Sequence, residues 1–200
     1  RITIIIACIF FVIAKPVHAQ KNIVHQNMVW FNYVNSLKLN DKSSIVTDIQ
    51  ERVFTKPEFA QHQFLFRPTL YRSLGNNWDA GVGLSLFLHD PQIFPVALRL
   101  TVPELRPNID FIYRQKTSGG LSLSHRYRFE ARFFHNVKNG ELDGGFSFTN
   151  FRFRYQLTAE YPIVKNKENK PVLKAKMFDE IHFNFGKKIK SNIIIFVCIH

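Results

Sequence analysis

Alternation of apolar and polar residues is the feature that most limits how this chain can fold. It is clearest over residues 121–137, where apolar or aromatic side chains occupy every second position from Leu121 to Phe133. Serine, arginine and glutamate fill the positions between them. Because successive side chains of a β-strand point to opposite faces, the segment predicts a long strand with one apolar and one charged face.

The same alternation recurs along the chain and predicts eight strands. They cover residues 28–39, 45–54, 61–72, 78–88, 107–116, 121–137, 146–163 and 172–185. Most are longer than the ~5–6 residues usual in globular proteins and reach the ~9–11 that cross a bilayer as a tilted strand. We therefore predict an all-β fold, an antiparallel up-and-down β-barrel of about eight to ten strands. The long connection 89–106, which contains Pro91, Pro95 and Pro103, is predicted to be the functional loop.

The first twenty residues have the three parts of a secretory signal peptide. Arg1 precedes an apolar run from Ile2 to Ala14, and Val17-His18-Ala19 offers small residues for cleavage after Ala19 or Gln20. The alternative is a short buried helix or an N-terminal anchor. We predict a signal peptide at residues 1–20 and a β-barrel domain at 21–186. Residues 187–200 lose the alternation and are predicted to be an atypical, truncated or frameshifted tail, which would leave the barrel incomplete.

Charge and cysteine content narrow the class of protein further. The chain has 27 Lys and Arg against 15 Asp and Glu, together with 21 Phe, and cleavage would reduce its net charge from +12 to +10. Cleavage would also leave Cys198 as the last cysteine, which excludes an internal disulfide. Export to the bacterial envelope argues against nucleic acid as a partner, although the basic and aromatic stretch from Phe151 to Tyr155 has the composition of a nucleic-acid-binding strip.

The charged faces of the predicted strands form the candidate functional site. We predict that their side chains pair across strands inside the barrel. The predicted network consists of Asp48, Arg52, Arg126, Arg128, Glu130, Arg132, Arg152, Arg154, Glu160 and Glu180. In one interpretation these charges neutralise each other and fill the interior. In the other, the surplus of basic residues binds or passes small anions, or binds the phosphate groups of surface lipid.

Two locations are compatible with a sheet that has one apolar and one charged face. If the apolar face points inward, the protein is a soluble periplasmic barrel that binds an apolar ligand. If it points outward, the protein is an outer-membrane barrel, whose partners are outer-membrane lipid and the barrel assembly machinery. Strand length and charge pairing favour the outer membrane. So do aromatic residues near the strand ends, which resemble an interfacial girdle: Trp30, Tyr33, Tyr71, Trp78 and Tyr161.

A membrane lipid hydrolase or deacylase is a third interpretation. It would use Ser124, His125 and Glu130, but adjacent residues of a strand point to opposite faces, so Ser124 and His125 could not share a proton. His182 beside Glu180 is a second weak candidate. The histidines show no metal-ligand spacing. We therefore expect no catalytic residue, no metal and no cofactor.

Several motifs resemble those of a known family. The stretch His125-Arg126-Tyr127-Arg128-Phe129-Glu130-Ala131-Arg132 resembles the HRxRxExR strand of a family of exported bacterial proteins, a domain of unknown function whose members are believed to be outer-membrane β-barrels. Supporting matches are Trp30, Gln50-Glu51-Arg52, Gln63 to Pro68, and the strand with Gly81 and Gly83. The resemblance covers roughly residues 26–186. It implies a barrel and no known activity.

Overall fold

The described part of the chain forms nine β-strands. The structure, a computed structural model, describes residues 26–91, 99–168 and 171–186, together with the backbone of residues 193–199. The predicted signal peptide and half of the predicted tail lie outside the described residues. The strands are β1 (Asn27–Lys38), β2 (Ser43–Lys56), β3 (Ala60–Gly75), β4 (Trp78–His89), β5 (Val102–Lys116), β6 (Ser122–Lys138), β7 (Glu141–Lys165), β8 (Pro171–Phe185) and β9 (Ile193–Ile199).

All nine strands belong to one antiparallel sheet in which each strand pairs with its neighbours in the chain. The sheet curves into an open half-barrel, with β1 and β9 at its two edges. The predicted all-β, up-and-down fold class is thereby confirmed. No helix occurs among the described residues, and none of them therefore forms a helix that could cross a membrane.

Two tight turns follow from asparagine and glycine at their central positions. Asn139 and Gly140 join β6 to β7 with φ angles of 53° and 83°, and Asn76 and Asn77 join β3 to β4 with φ angles of 49° and 66°. Two-residue hairpins that match the twist of a sheet need positive φ at both positions, which asparagine and glycine tolerate best. These turns, with residues 39–42 and 117–121, define two ends of the sheet. We call them the Lys116 end (turns 39–42, 76–77 and 117–121) and the Lys138 end (turns 57–59 and 139–140).

Strand β5 begins earlier than the sequence predicts. It starts at Val102, so residues 102–106 belong to a strand and the predicted connection 89–106 is too long. Prolines in this stretch led to the wrong boundary, because proline lacks the N–H that a central strand donates. The sheet accommodates them with gaps. The β5–β6 pairing omits Arg106 and Pro107, and the β3–β4 pairing omits Arg67 and Pro68.

The ninth strand lies in the stretch that the sequence marks as an atypical tail. Residues 193–199 pair with β8 from Phe183↔Ile193 to Met177↔Ile199. The segment is an apolar run without alternation, so its sequence gives no sign of a strand with two different faces.

Candidate functional site

The concave face of the half-barrel is polar and the convex face is apolar. Buried polar side chains among the described residues are Gln50, Gln63, Arg67, Thr69, Ser85, Glu104, Arg106, Asn108, Asp110, Arg128, Glu130, Asn150, Glu180, His182 and Asn184. The buried apolar side chains there are Phe54, Ala60, Leu65 and Phe87. Large apolar residues such as Phe31, Val82 and Phe129 are exposed. Charges therefore fill the position that an apolar core has in a water-soluble domain.

One row of side chains crosses the concave face from β3 to β6. Tyr71 lies opposite Gly81, which lies opposite Asp110, which lies opposite Arg128. Because Gly81 has no side chain, the Tyr71 ring passes over it, and a Cβ there would stand 2.5 Å from Tyr71 Cε1. The Tyr71 hydroxyl donates to Asp110 Oδ2 at 2.5 Å, and Arg128 donates to both Asp110 oxygens at 2.6 and 2.7 Å.

Glu104 is the centre of a second cluster. Its carboxylate is fully buried and accepts hydrogen bonds from two arginines: Arg106 on its own strand, at 2.6 and 2.7 Å, and Arg132 on β6, at 2.5 and 3.1 Å. His89 Nε2 lies 2.6 Å from the same carboxylate. Three partners satisfy a charge that would otherwise be costly to bury.

A third cluster surrounds Glu180 on β8. Arg126 and Arg154 each donate to it, at 2.8 and 2.6 Å, and His182 Nε2 lies 2.8 Å from Oε2. Arg154 also reaches Glu130 Oε1 at 3.4 Å, so it joins this cluster to the middle of the concave face. Fully buried Glu130 lies 3.9 Å from Arg106, which links the Glu104 and Glu180 clusters. The Glu104 and Glu180 clusters therefore form one continuous network.

Two Arg-Pro pairs flank β4 and meet at a buried phenylalanine. Phe87 is 3% exposed, and the guanidinium carbons of Arg106 and Arg67 lie 3.6 and 5.8 Å from its ring centroid. Arg67 Nε also donates to Ser85 at 3.2 Å, and Arg67 Nη1 reaches Asp48 at 3.4 Å. The aromatic ring thus packs against cations that belong to both neighbouring strands.

All ten residues of the predicted network lie on the concave face, and some of them bind partners outside the predicted ten. Arg132 binds Glu104, and Glu160 binds Lys174 at 2.7 Å near the sheet end. Arg52 and Arg152 have no carboxylate within ion-pair distance among the described residues. Arg52 donates to Gln50 and stacks 4.0 Å over Trp30, and Arg152 donates to Asn184 at 2.7 Å.

Sequence reasoning missed Glu104 and Arg106 at the start of β5, because the neighbouring prolines indicate a loop there. The signal was nevertheless present, since Glu104, Arg106, Asn108 and Asp110 alternate without interruption. Two aromatic residues predicted for an interfacial girdle, Trp30 and Tyr71, belong to the concave face instead, where they contact Arg52 and Asp110.

The residues of the hydrolase interpretation are not brought together. His125 lies on the convex face, where Nδ1 is 2.9 Å from the Tyr155 hydroxyl, whereas Ser124 faces the concave side. Glu130 binds Arg154. His182 and Glu180 do meet, within the arginine network described above. Among the described residues there is no group of three or more His, Cys, Asp and Glu side chains that could hold a metal ion.

The concave face has an excess of positive charge in a partly dry environment. Arg52 Nε, Arg126 Nε and Arg128 Nη1 are buried without a hydrogen-bond partner in the described part of the chain. Buried donors of this kind favour an anion or an ordered water as an additional acceptor. Chemically, the surface can hold negative charge and exclude small cations.

These features define a class: a single curved antiparallel sheet whose charged residues lie inside the curve and whose apolar residues lie outside. Comparison with known families confirms the predicted resemblance to a domain of unknown function. The chain belongs to the family described as "Protein of unknown function (DUF2490)", whose model matches residues 27–195. No curated protein matches the chain, and no solved structure does.

Proposed function

We propose that this protein is an outer-membrane β-barrel protein whose convex face contacts lipid and whose interior is filled by charged side chains. The supporting observation is that polar side chains are buried and large apolar side chains are exposed, which is the reverse of the distribution in a water-soluble domain. Apolar burial contributes about 25 cal/mol per Å² and is the main driving force of folding in water. The exposed positions of Phe31 and Phe129, beside the buried Asp110 and Glu130, suit a sheet whose outer face is covered by hydrocarbon.

The dimensions of the convex face support the proposal. On β6, apolar or aromatic side chains occupy the convex positions from His125 to His135. Ten residues at about 3.3 Å each span roughly 33 Å along the strand. A strand tilted by about 40° converts this length to about 25 Å of height, which is the height of the apolar band of outer-membrane barrels.

A row of aromatic rings crosses four strands near the Lys116 end. Trp78 stacks on Tyr113 with centroids 4.8 Å apart, Tyr113 lies 6.2 Å from His125, and His125 lies 6.1 Å from Tyr155. Rings with a polar edge gather at the boundary between hydrocarbon and water. The row therefore supports an interfacial position for this level of the sheet.

For the interior we propose a filled lumen that binds small anions or passes them slowly. In a barrel of about eight strands the side chains occupy most of the interior. The Glu104 and Glu180 clusters supply this filling. Arg52 and Arg152, which lack carboxylate partners among the described residues, supply the surplus positive charge for chloride or phosphate.

Outer-membrane insertion requires the sheet to close. Strands β1 and β9 are the edges, and every residue of β1 is exposed. Free strand edges leave N–H and C=O groups unpaired, which hydrocarbon does not tolerate. We therefore propose that closure occurs at β1 and that barrel assembly machinery performs the insertion. Outer-membrane lipid is the partner of the convex face.

The two other interpretations find less support in the geometry. A periplasmic barrel for an apolar ligand needs an apolar interior, but the concave face has Glu104, Asp110 and Arg128 at its centre. A hydrolase needs Ser124 next to a histidine, and His125 points to the opposite face.

Cell fractionation combined with gel migration tests the proposal. We expect the full chain in the outer-membrane fraction, where alkaline carbonate does not extract it and detergent does. Unheated samples should migrate differently from boiled ones, because a closed barrel resists unfolding by detergent. Extraction by buffer alone would exclude membrane insertion. A membrane-bound protein without heat-dependent migration would contradict closure of the barrel.

A further inference from the structure

A cavity of about 380 Å³ opens at the Lys116 end of the concave face. It lies where β5, β6, β7 and β8 stand side by side, outside the Glu104 and Glu180 clusters. The lining includes three basic side chains, Arg114, Lys116 and Lys176, and three hydroxyls, those of Ser122, Ser124 and Thr158. Its volume is within the range of small-molecule sites, about 300–1,000 Å³.

The charges around this cavity do not balance. Glu160 lines it and is bound by Lys174 at 2.7 Å, and Arg114 is paired with Asp79. Lys116 and Lys176 have no carboxylate within ion-pair distance in the described part of the chain. Two lysines at one opening therefore lack counter-charges, which favours an anionic ligand.

The hydroxyl groups indicate what kind of anion fits. Ser124 lies opposite Thr158 across the β6–β7 pair, and Ser122 lies one step nearer the end, opposite Glu160. None of these three hydroxyls has a hydrogen-bond partner among the described residues. Hydroxyls can donate to phosphate oxygens and can also accept from the hydroxyls of a ligand. The volume leaves room for more than a phosphate group alone.

We propose that this cavity binds a phosphomonoester attached to a small hydroxyl-bearing carbon frame. Lys116 and Lys176 contact the phosphate, and Ser122, Ser124 and Thr158 contact the remainder of the ligand. This chemistry occurs in soluble phosphorylated polyols and in lysophosphatidic acid, a lipid whose glycerol has a phosphomonoester and one free hydroxyl. The inference rests on the geometry of the cavity and does not depend on membrane insertion.

Binding is measured with the folded full chain in detergent micelles. Isothermal titration with glycerol 3-phosphate tests the soluble source, and micelles doped with lysophosphatidic acid test the lipid source. Glycerol is the uncharged control. Saturable binding of glycerol 3-phosphate identifies a soluble ligand, and binding of lysophosphatidic acid alone identifies a lipid headgroup. If neither binds in a saturable manner, the inference is wrong, while fractionation of the same chain tests its membrane location separately.

Matched variants locate the site. Lys116→Gln combined with Lys176→Gln should weaken binding by about tenfold or more, since two charged hydrogen bonds are lost. Lys56→Gln combined with Lys138→Gln, at the Lys138 end of the sheet, removes the same number of charges and should change affinity by less than about twofold. Circular dichroism checks that each variant is folded. Equal losses in both would show attraction by net charge alone and would overturn the proposed site.

Discussion

The hydroxyl of Tyr71 lies 2.5 Å from Asp110 Oδ2, although strand β4 separates the strands to which they belong. The contact exists because Gly81, the β4 residue between them, leaves room for the ring. Arg128 binds Asp110 from the other side. The side chains of Tyr71, Asp110 and Arg128 therefore connect β3, β5 and β6 across β4 at a single level of the sheet.

Removing the Tyr71 hydroxyl should weaken this connection. Tyr71→Phe is expected to lower the free energy of unfolding by about 1–3 kcal/mol, because the buried Asp110 carboxylate loses one donor. The measurement is urea unfolding of the folded protein, followed by gel migration without heating. Tyr127→Phe on the convex face is the control and should have little effect. Equal effects of the two changes would mean that the Tyr71–Asp110 contact contributes nothing specific.

Gly81→Ala should break the Tyr71–Asp110 hydrogen bond by displacing the Tyr71 ring. The new methyl group would stand 2.5 Å from Tyr71 Cε1, so the ring must move and its hydroxyl leaves Asp110. Once the hydroxyl has moved, adding Tyr71→Phe should cost almost nothing further, a non-additivity that a double-mutant cycle detects. Gly145→Ala is the control, since a Cβ there meets no atom within 4 Å. Full additivity would contradict the steric connection.

Replacing one partner of the buried Asp110–Arg128 ion pair should lower the free energy of unfolding more than replacing both partners. Asp110→Leu or Arg128→Met alone should cost about 3–5 kcal/mol, because each leaves an uncompensated buried charge. The double variant should recover a substantial part of this loss. Lys38→Met removes one partner of an exposed pair with Asp41 and should cost at most about 1 kcal/mol. Denaturant midpoints of all four variants give the comparison.

A charge on the convex face distinguishes a lipid-facing surface from a water-facing one. Phe129 is 48% exposed in the middle of β6, so Phe129→Arg would be harmless in water. In a bilayer it should destabilise the inserted protein by about 2–4 kcal/mol. Leu142→Arg, beside the β6–β7 turn, should cost about 0–1 kcal/mol, as expected near an interface. Membrane-inserted yield and urea midpoint in lipid vesicles measure the difference, and a neutral Phe129→Arg would argue against lipid contact.

The surplus arginines should control the response to anions. If the lumen conducts, the pair of changes Arg52→Gln and Arg152→Gln should reduce the preference for chloride over potassium in planar bilayers, because two lumen charges without carboxylate partners are removed. Arg72→Gln removes a single charge from the exposed opposite face and is the control. If the reversal potential of the double variant is unchanged, groups other than Arg52 and Arg152 determine the preference for chloride.

The faces of the strands were predictable because alternation determines them directly. It placed Arg126, Arg128, Glu130 and Arg132 on one side of β6, and the same reasoning placed Arg152 and Arg154 beside them on β7. The Asn139-Gly140 turn was also predictable from the sequence, since few residues other than asparagine and glycine accept its φ angles. Local rules of this kind need no knowledge of the complete sheet.

Partners across the concave face were not predictable from the sequence. Arg126 on β6 reaches Glu180 on β8, and Tyr71 on β3 reaches Asp110 on β5, so each contact skips a strand. Such contacts depend on how strongly the sheet curves and on where glycine opens space. The alternation of apolar and polar residues shows neither the curvature of the sheet nor the places where glycine leaves space. Arg152 binds Asn184 instead of a carboxylate because the two residues lie directly opposite each other in the β7–β8 pair, and alternation does not determine which residues of two strands are paired.

The gaps beside Pro68 and Pro107 lie at one level, on either side of the β4–β5 hairpin. Arg67 bridges the first gap to Ser85, and Arg132 bridges the second to Glu104. At this level the same guanidinium groups therefore fill the concave face and connect neighbouring strands. Replacing these arginines would open space on the concave face and would also weaken the connection between the strands, so free space and mechanical strength cannot be changed independently at this level of the sheet.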